Sequence, residues 1–207
     1  MAVSIEHIPS PGNLATDLDT IFSMNHNDYI NLLHPANLLS GGTWADLGAG
    51  SGAFTLALRE LIGPEAEIYA VDKDHSRLVE LEREYRTHFS DLSRLHVLPA
   101  DFSRALDIST NSTQRLPPLD GILMANSLHF FKDKETTLRH VSSFLKPGGA
   151  LLLVEYNVDT GNYWVPYPFS FETLSKLAQR AGLSEPRLLA THPSSFLRGF
   201  YSAVTYK

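Results

Sequence analysis

Apolar and β-branched residues gather in short runs through the middle of the chain, and between those runs apolar positions recur every three or four residues. The runs near 43–47 (TWADL), 67–71 (EIYAV), 94–98 (RLHVL), 120–125 (DGILMA) and 149–155 (GALLLVE) read as strands. In the gaps, Phe54, Ala57, Leu58 and Leu61 share one helical face, as do Leu78, Leu81, Tyr85 and Phe89, and later Leu138, Val141, Phe144 and Leu145. Strands alternating with helices predict a parallel sheet with crossover helices. The connection between the third and fourth strands departs from this pattern. Its polar run STNSTQRLPP, 109–118, leaves little helix and reads as a surface connection.

Beyond the fifth strand, Phe171, Leu174, Leu177, Ala178 and Ala181 form another helical face, with Gly182 as a left-handed C-terminal cap. Two β-like runs follow, about 186–191 and 199–206, with no helix between them, so the last strand is expected to pair antiparallel. Upstream, residues 14–33 read as one or two helices ending at His34-Pro35, because a residue before proline is disfavoured in helical geometry. The expected organisation is one domain over 1–207, with 1–40 an N-terminal helical cap segment and 157–170 a lid loop.

Composition narrows the function. A chain of 207 residues, 43% of them apolar, builds one ordinary domain with a sizeable core. A formal charge of −6 lacks the basic footprint of a nucleic-acid binder, so no nucleic-acid partner is expected. The absence of cysteine removes disulfides, thiolate zinc sites and cysteine nucleophiles, and fits an intracellular, cytoplasmic setting. The N-terminal MAVSIEHIPSPG lacks a basic segment followed by an apolar core, and ALLLV is too short to span a bilayer; no membrane association is expected. No histidine lies two to four residues from another, so no metal is expected.

The segment WADLGAGSGAF carries the strongest chemical signal. Glycines at 48, 50 and 52 suit a tight strand-to-helix turn whose exposed amides face a ligand. The same letters satisfy G-x-G-x-x-A, and Asp72 lies twenty residues beyond Gly52, so the loop alone does not choose between cofactors. Its neighbours say more. Asp46, two residues before Gly48, favours a cationic ammonium over a pyrophosphate. Asp72, in AVDKD, is suited to accept both hydroxyls of a ribose, and Asp101, in PADF, a hydrogen bond from an exocyclic amine. Three acids at successive strand ends line the edge where open α/β sheets bind ligands.

With DLGAGSG, AVDKD, ADF, DGILMANSLHFF and LKPGGALLLVE in this order over residues 43–156, the chain resembles the class I S-adenosylmethionine-dependent methyltransferases. The resemblance implies an α/β, Rossmann-like, doubly wound seven-stranded sheet with an antiparallel last strand in a three-layer α/β/α arrangement. It also implies S-adenosylmethionine as cofactor. Asp46, Gly48, Gly50 and Gly52 would hold its methionine part, Asp72 its ribose, and Asp101 with Phe102 the edge and face of its adenine, with Lys73 a further cofactor-binding residue. Asn126 and Ser127 would lie near the sulfonium and the methyl acceptor.

A sulfonium methyl is already activated, so the protein's main task is to align a nucleophile behind it and exclude water. His129, after the fourth strand, is a candidate base and Asn126 a candidate orienting amide; burial of His129 beside Phe130 and Phe131 is the competing reading. The aromatic stretch YNVDTGNYWVPYPFSF, 156–171, is either a connection packed on the sheet or a substrate wall, with Tyr156, Tyr163 and Trp164 foremost. Glu155 is an acid, a base or a buried hydrogen-bond acceptor. MANSLHF is not the N-P-P-Y type of motif that methylates nucleic-acid amino groups, and the expected acceptor is a small molecule. Two other readings stay open: a NAD-dependent oxidoreductase and a non-catalytic S-adenosylmethionine-binding protein. Neither G-x-S-x-G nor G-x-x-x-x-G-K-[ST] occurs, which disfavours serine hydrolases and P-loop nucleotidases.

Overall fold

The computed structural model describes residues 24–103 and 116–207. Seven strands form one sheet: β1 (Thr43–Leu47), β2 (Glu67–Asp72), β3 (Leu95–Pro99), β4 (Leu119–Ala125), β5 (Leu145–Tyr156), β6 (Arg187–Pro193) and β7 (Gly199–Tyr206). Their spatial order is β3-β2-β1-β4-β5-β7-β6. The first five run parallel, and β7 inserts antiparallel between β5 and β6. The strand order reverses at β1 and β4, and the crevice outside their C-terminal ends is where such sheets take ligands.

Alternation within the strands builds both faces. Ile122, Met124, Leu151 and Leu153 join Leu138, Val141, Leu174 and Ala178 of α4 (Lys134–Ser142) and α5 (Phe171–Ala181). Leu123, Ala125, Leu152 and Val154 point the other way, toward Leu32 and Leu33 of α1 (His26–Leu33) and Phe54, Ala57 and Leu58 of α2 (Ala53–Ile62). The helix α3 (His75–His88) covers β2 through Leu78, Leu81 and Tyr85. The buried Arg59 ties these parts together, donating to the carbonyls of Gly63, Pro64 and Ala66 and, through Nε, to the Tyr85 hydroxyl. A buried guanidinium satisfied in this way is a staple rather than a catalytic group.

Two expectations shift. The α-helix ends at Leu33, the expected stop, but His34 does not become extended before Pro35: it stays right-handed at φ −51°, ψ −41°, and His34–Ala36 adds a 3-10 turn in which proline takes an early position needing no N–H. The fifth strand starts at Leu145 rather than 149, because Leu145 already pairs with Leu119; the Lys-Pro-Gly turn is absorbed as an irregularity before Gly121 pairs with Ala150. Gly182 closes α5 in the left-handed conformation. The early part of the N-terminal segment, the first half of the helical reading over 14–33 and most of the polar run at 109–118 lie outside the described residues. Among the described residues, no helix is long and apolar enough to cross a membrane.

Candidate functional site

Between β1 and α2 the chain turns through Gly48–Gly52. Gly48 sits at φ +87°, and a Cβ there would lie 2.5 Å from the Cβ of Ser127, so glycine lets the ends of β1 and β4 approach. A Cβ on Gly52 would lie 2.6 Å from Cγ of Leu81; this glycine packs the turn onto α3. Around Gly50 nothing lies within 4 Å of an added Cβ, and this position faces open space.

Asp72, at the end of β2, fixes the turn. Its Oδ2 accepts from the amide of Gly50 at 2.9 Å and its Oδ1 from the amide of Asp74 at 2.9 Å. Gly48 and Ala49 donate to the carbonyl of Val71 at 2.8 and 3.1 Å. Asp74 in turn caps α3, its Oδ1 accepting from the amides of Ser76 and Arg77. The two acids therefore divide the work: one holds the glycine turn and the other starts the helix.

These elements border a cleft of about 390 Å³ at the C-terminal edge of the sheet. It brings together Gly48, Gly50, Asp72, Lys73, Asp101, Phe102, Asn126 and Ser127. Arg77, Phe130 and Phe131 also line it, and sequence reasoning did not single them out as binding residues. Asp101 accepts from the amide and hydroxyl of Ser103 at 3.0 and 2.6 Å, while the buried Phe102 ring meets Phe131 edge-on at 5.4 Å. Asp46, Gly52 and His129 are not among the residues lining the cleft.

Asp46 lies beneath the turn, on the face of β1 that meets α2. It is buried, and its Oδ2 accepts from the hydroxyl of Thr55 at 2.6 Å. Burial pushes its carboxyl up to about 7; the Thr55 hydrogen bond pulls it down, and the Asp72 charge adds to the rise. Its Oδ1 has no partner, nor do Oδ1 of Asn126 and Oγ of Ser127. Among the described residues only one other buried side-chain polar atom, the hydroxyl of Tyr201, shares that condition. Each such atom costs about 1–3 kcal/mol, and three of them sit at the ends of the adjacent strands β1 and β4. Asn126 also holds a left-handed backbone at φ +51°.

His129 belongs to a different construction. Its Nδ1 lies 2.8 Å from Oε2 of Glu155, while Oε1 of Glu155 accepts from the amides of Leu128 and His129 at 2.9 and 3.1 Å. Both side chains are buried. Glu155 thus holds the turn that presents Asn126, Ser127 and Phe130. Lys134 supports the same turn from the far side, donating Nζ to the carbonyl of Phe131 at 2.9 Å beneath the rings of Tyr167 and Phe169; burial lowers its pKa and the Glu155 charge counters. Glu155 is twenty-six positions from His129 and falls on its turn only through the β4–β5 pairing, so no local motif marks the pair. Tyr156 is buried, whereas Tyr163 and Trp164 are exposed. Among the described residues no group of three or more His, Asp or Glu is placed to hold a metal ion.

A family model described as a methyltransferase domain matches residues 45–151, just over half of the chain. The chain is 30% identical over 117 residues to fusarin C synthetase of Gibberella fujikuroi, covering 55% of this chain and 3% of that protein. It is 30% identical over 112 residues to the ubiquinone/menaquinone biosynthesis C-methyltransferase of Pasteurella multocida, covering 54% of this chain and 39% of that one. The chain therefore spans well under half the length of these two relatives. Among solved structures, a SAM-dependent methyltransferase from Aquifex aeolicus superposes with a TM-score of 0.65 at 17% identity, covering 96% of this chain and 99% of that one. This likeness is one of fold.

Proposed function

The chain belongs to the methyltransferase-domain family, the class I enzymes whose cofactor is S-adenosylmethionine, and from that premise we propose that it methylates a small molecule held beside the cleft. The observation that carries this reading is the trio of unpartnered buried atoms on Asp46, Asn126 and Ser127 behind a glycine turn that opens at Gly50. A ligand bearing an ammonium, a hydroxylated sugar and a base fits that donor and acceptor set. Lys73 and Arg77 border the cleft beside Asp72, and what sets a nicotinamide dinucleotide apart is that it gives Asp46 no ammonium to pair with.

In this reading Asp46, beneath the turn rather than in the cleft lining, would meet the ammonium of the methionine part, Gly48 and Gly50 would leave room for its backbone, and Asp72 would hold the ribose with Lys73 beside it. Asp101 and Phe102 meet the edge and face of the adenine. Bound S-adenosylmethionine would supply an electrophilic methyl for an acceptor lone pair. Asn126 orients groups at the end of β4, and the Phe130–Phe131 side excludes water. His129 acts through position: joined to Glu155, it keeps the turn after β4 in shape. Segment 157–170 is the acceptor-side wall, and the cysteine-free composition supports a cytoplasmic setting. The acidic balance of −6 and the C-methyltransferase name of the Pasteurella relative support a small-molecule acceptor.

Incubation of the protein with methyl-labelled S-adenosylmethionine and a fractionated cell extract tests the reading. Label is expected in the small-molecule fraction. Label in protein or nucleic acid contradicts the acceptor class, and intact cofactor binding without any transfer contradicts catalysis.

A further inference from the structure

Among the described residues, five Phe, Tyr or Trp side chains are exposed: Phe130, Tyr163, Trp164, Tyr167 and Tyr206. Tyr206 pairs with Ala150 at the opposite edge of the sheet from the cleft. The other four lie on two loops, one after β4 and one after β5, that are bonded to each other. The amide of Tyr167 donates to the carbonyl of His129 at 3.1 Å, and Lys134 joins the carbonyl of Phe131 to the ring faces of Tyr167 and Phe169. Phe130 and Phe131 also line the cofactor cleft, so the loop bonded to Tyr167 reaches it.

The loop that presents these rings is built. Oδ1 of Asn162 accepts from the amides of Trp164 and Val165, both at 2.9 Å, and a Cβ on Gly161 would lie 2.4 Å from the carbonyl oxygen of Pro166. Val165 and Phe169 are buried anchors, and Asp159 and Asn157 accept from the amides of Ser170 and Phe171 at the loop's base. An ordered loop that anchors some apolar side chains and leaves its aromatics in water holds them for a partner. Charge defines that partner. No charged side chain occurs from 160 to 171, and the Lys134 ammonium is buried and engaged; the exposed cations here are Lys132, next to Phe131 in sequence, and Lys73 and Arg77, which line the cleft with Phe130 and Phe131.

We propose that Phe130 and Tyr167, with Tyr163 and Trp164 on the same loop as Tyr167, form a stacking site for an uncharged, planar aromatic methyl acceptor. The inference rests on the methyl-transfer reading of the cleft and names its substrate class. Flat rings stack on flat rings, and a saturated molecule of equal size gains area without the stacking preference.

Three matched probes test it by saturation-transfer NMR on protein loaded with S-adenosylhomocysteine: 2-naphthol, its saturated counterpart decahydro-2-naphthol, and the anion 2-naphthoate. Saturable 2-naphthol binding is expected, with each of Phe130→Ala and Tyr167→Ala weakening it by about fivefold to tenfold and Tyr206→Ala leaving it unchanged. Equal binding of the saturated alcohol would make the patch a general apolar surface, and preference for 2-naphthoate would make it an anion site; either overturns the inference. Concentration-dependent dimerisation abolished by Phe130→Ala, without 2-naphthol binding, would assign the surface to a second copy and overturn it too. Loss of 2-naphthol binding with S-adenosylhomocysteine still bound defeats this inference alone. Failure to bind S-adenosylhomocysteine defeats the reading beneath it.

Discussion

The carboxylate of Asp72 accepts a hydrogen bond from the backbone amide of Gly50 at 2.9 Å, so the end of β2 sets the shape of the turn leaving β1. Its second oxygen holds the amide of Asp74. Asp72→Ala frees two backbone donors and removes the ribose-side acid together. Binding of S-adenosylhomocysteine is expected to weaken by at least about tenfold by calorimetry, and urea unfolding to show a loss of about 1–3 kcal/mol. Undiminished affinity in this variant would take Asp72 out of the cofactor site.

Asp46 gives stability a pH dependence of definite sign. Burial raises its carboxyl from 3.8 to about 7, so between those values the folded state binds more protons than the unfolded chain. Its favourable contribution is complete below about pH 4 and is lost as pH rises through about 7, amounting to as much as about 4 kcal/mol. Asp46→Asn removes that titration. Relative to the parent, the variant is expected to gain stability between pH 5 and pH 8.5 in paired urea melts; parallel curves would contradict the assignment.

The same acid predicts a pH dependence of ligand affinity. An ammonium against Asp46 favours the ionised carboxylate, so binding releases a proton at pH below about 7. S-Adenosylhomocysteine is expected to bind more tightly as pH rises from about 5.5 to 7.5, until its own amino group begins to lose its proton near 8. Asp46→Asn should flatten the rise. A parent profile with no slope in that window would place the ammonium elsewhere.

Two glycines of one turn separate crowding from backbone preference. Gly48→Ala places a methyl 2.5 Å from Cβ of Ser127 in a left-handed conformation, and is expected to cost about 2–5 kcal/mol and to abolish ligand binding. Gly50→Ala meets no atom within 4 Å, and is expected to cost about 1–2 kcal/mol from backbone strain. Thermal and urea unfolding of the pair checks the order; equal losses would mean that the approach of β1 to β4 is not what glycine serves at 48.

Glu155 and His129 distinguish positioning from base catalysis. Glu155→Leu strands two amides and the ring nitrogen of His129, with an expected loss of about 3–5 kcal/mol, while Glu155→Gln retains an acceptor for the amides and loses less. His129→Gln is expected to lower stability by about 1–3 kcal/mol and to leave the shape of the kcat pH profile unchanged. Disappearance of a titration from that profile would restore His129 as a general base.

Much of the fold is legible because strands and helices announce themselves by period. TWADL and the run from Gly199 to Tyr206 become strands with the bounds their patterns indicate, and Gly182 ends α5 as its position suggests. Pro147 and the following glycines obscure the start of β5, since a turn-like tripeptide can be absorbed as an irregularity when Leu145 has a partner in Leu119. In the site, Asp72, Asp101 and the glycines are visible from their places at strand ends. A buried His129 and a buried acceptor at Glu155 are among the readings the letters allow, but the pairing of the two, like the packing of Leu81 against Gly52, is a long-range contact created only when the sheet assembles. The exposure of Phe130 and Tyr167 is likewise a tertiary fact; as letters, they look like core.

The central claim is that this cleft takes S-adenosylmethionine through Asp46, Asp72 and the turn between them. Calorimetric titration of the protein with S-adenosylhomocysteine, beside NAD and with Asp72→Ala in parallel, tests it most directly. Saturable binding of S-adenosylhomocysteine that the variant weakens, with no binding of NAD, is the predicted result. Binding of NAD in its place, or affinity for S-adenosylhomocysteine that survives the loss of Asp72 unchanged, would contradict it.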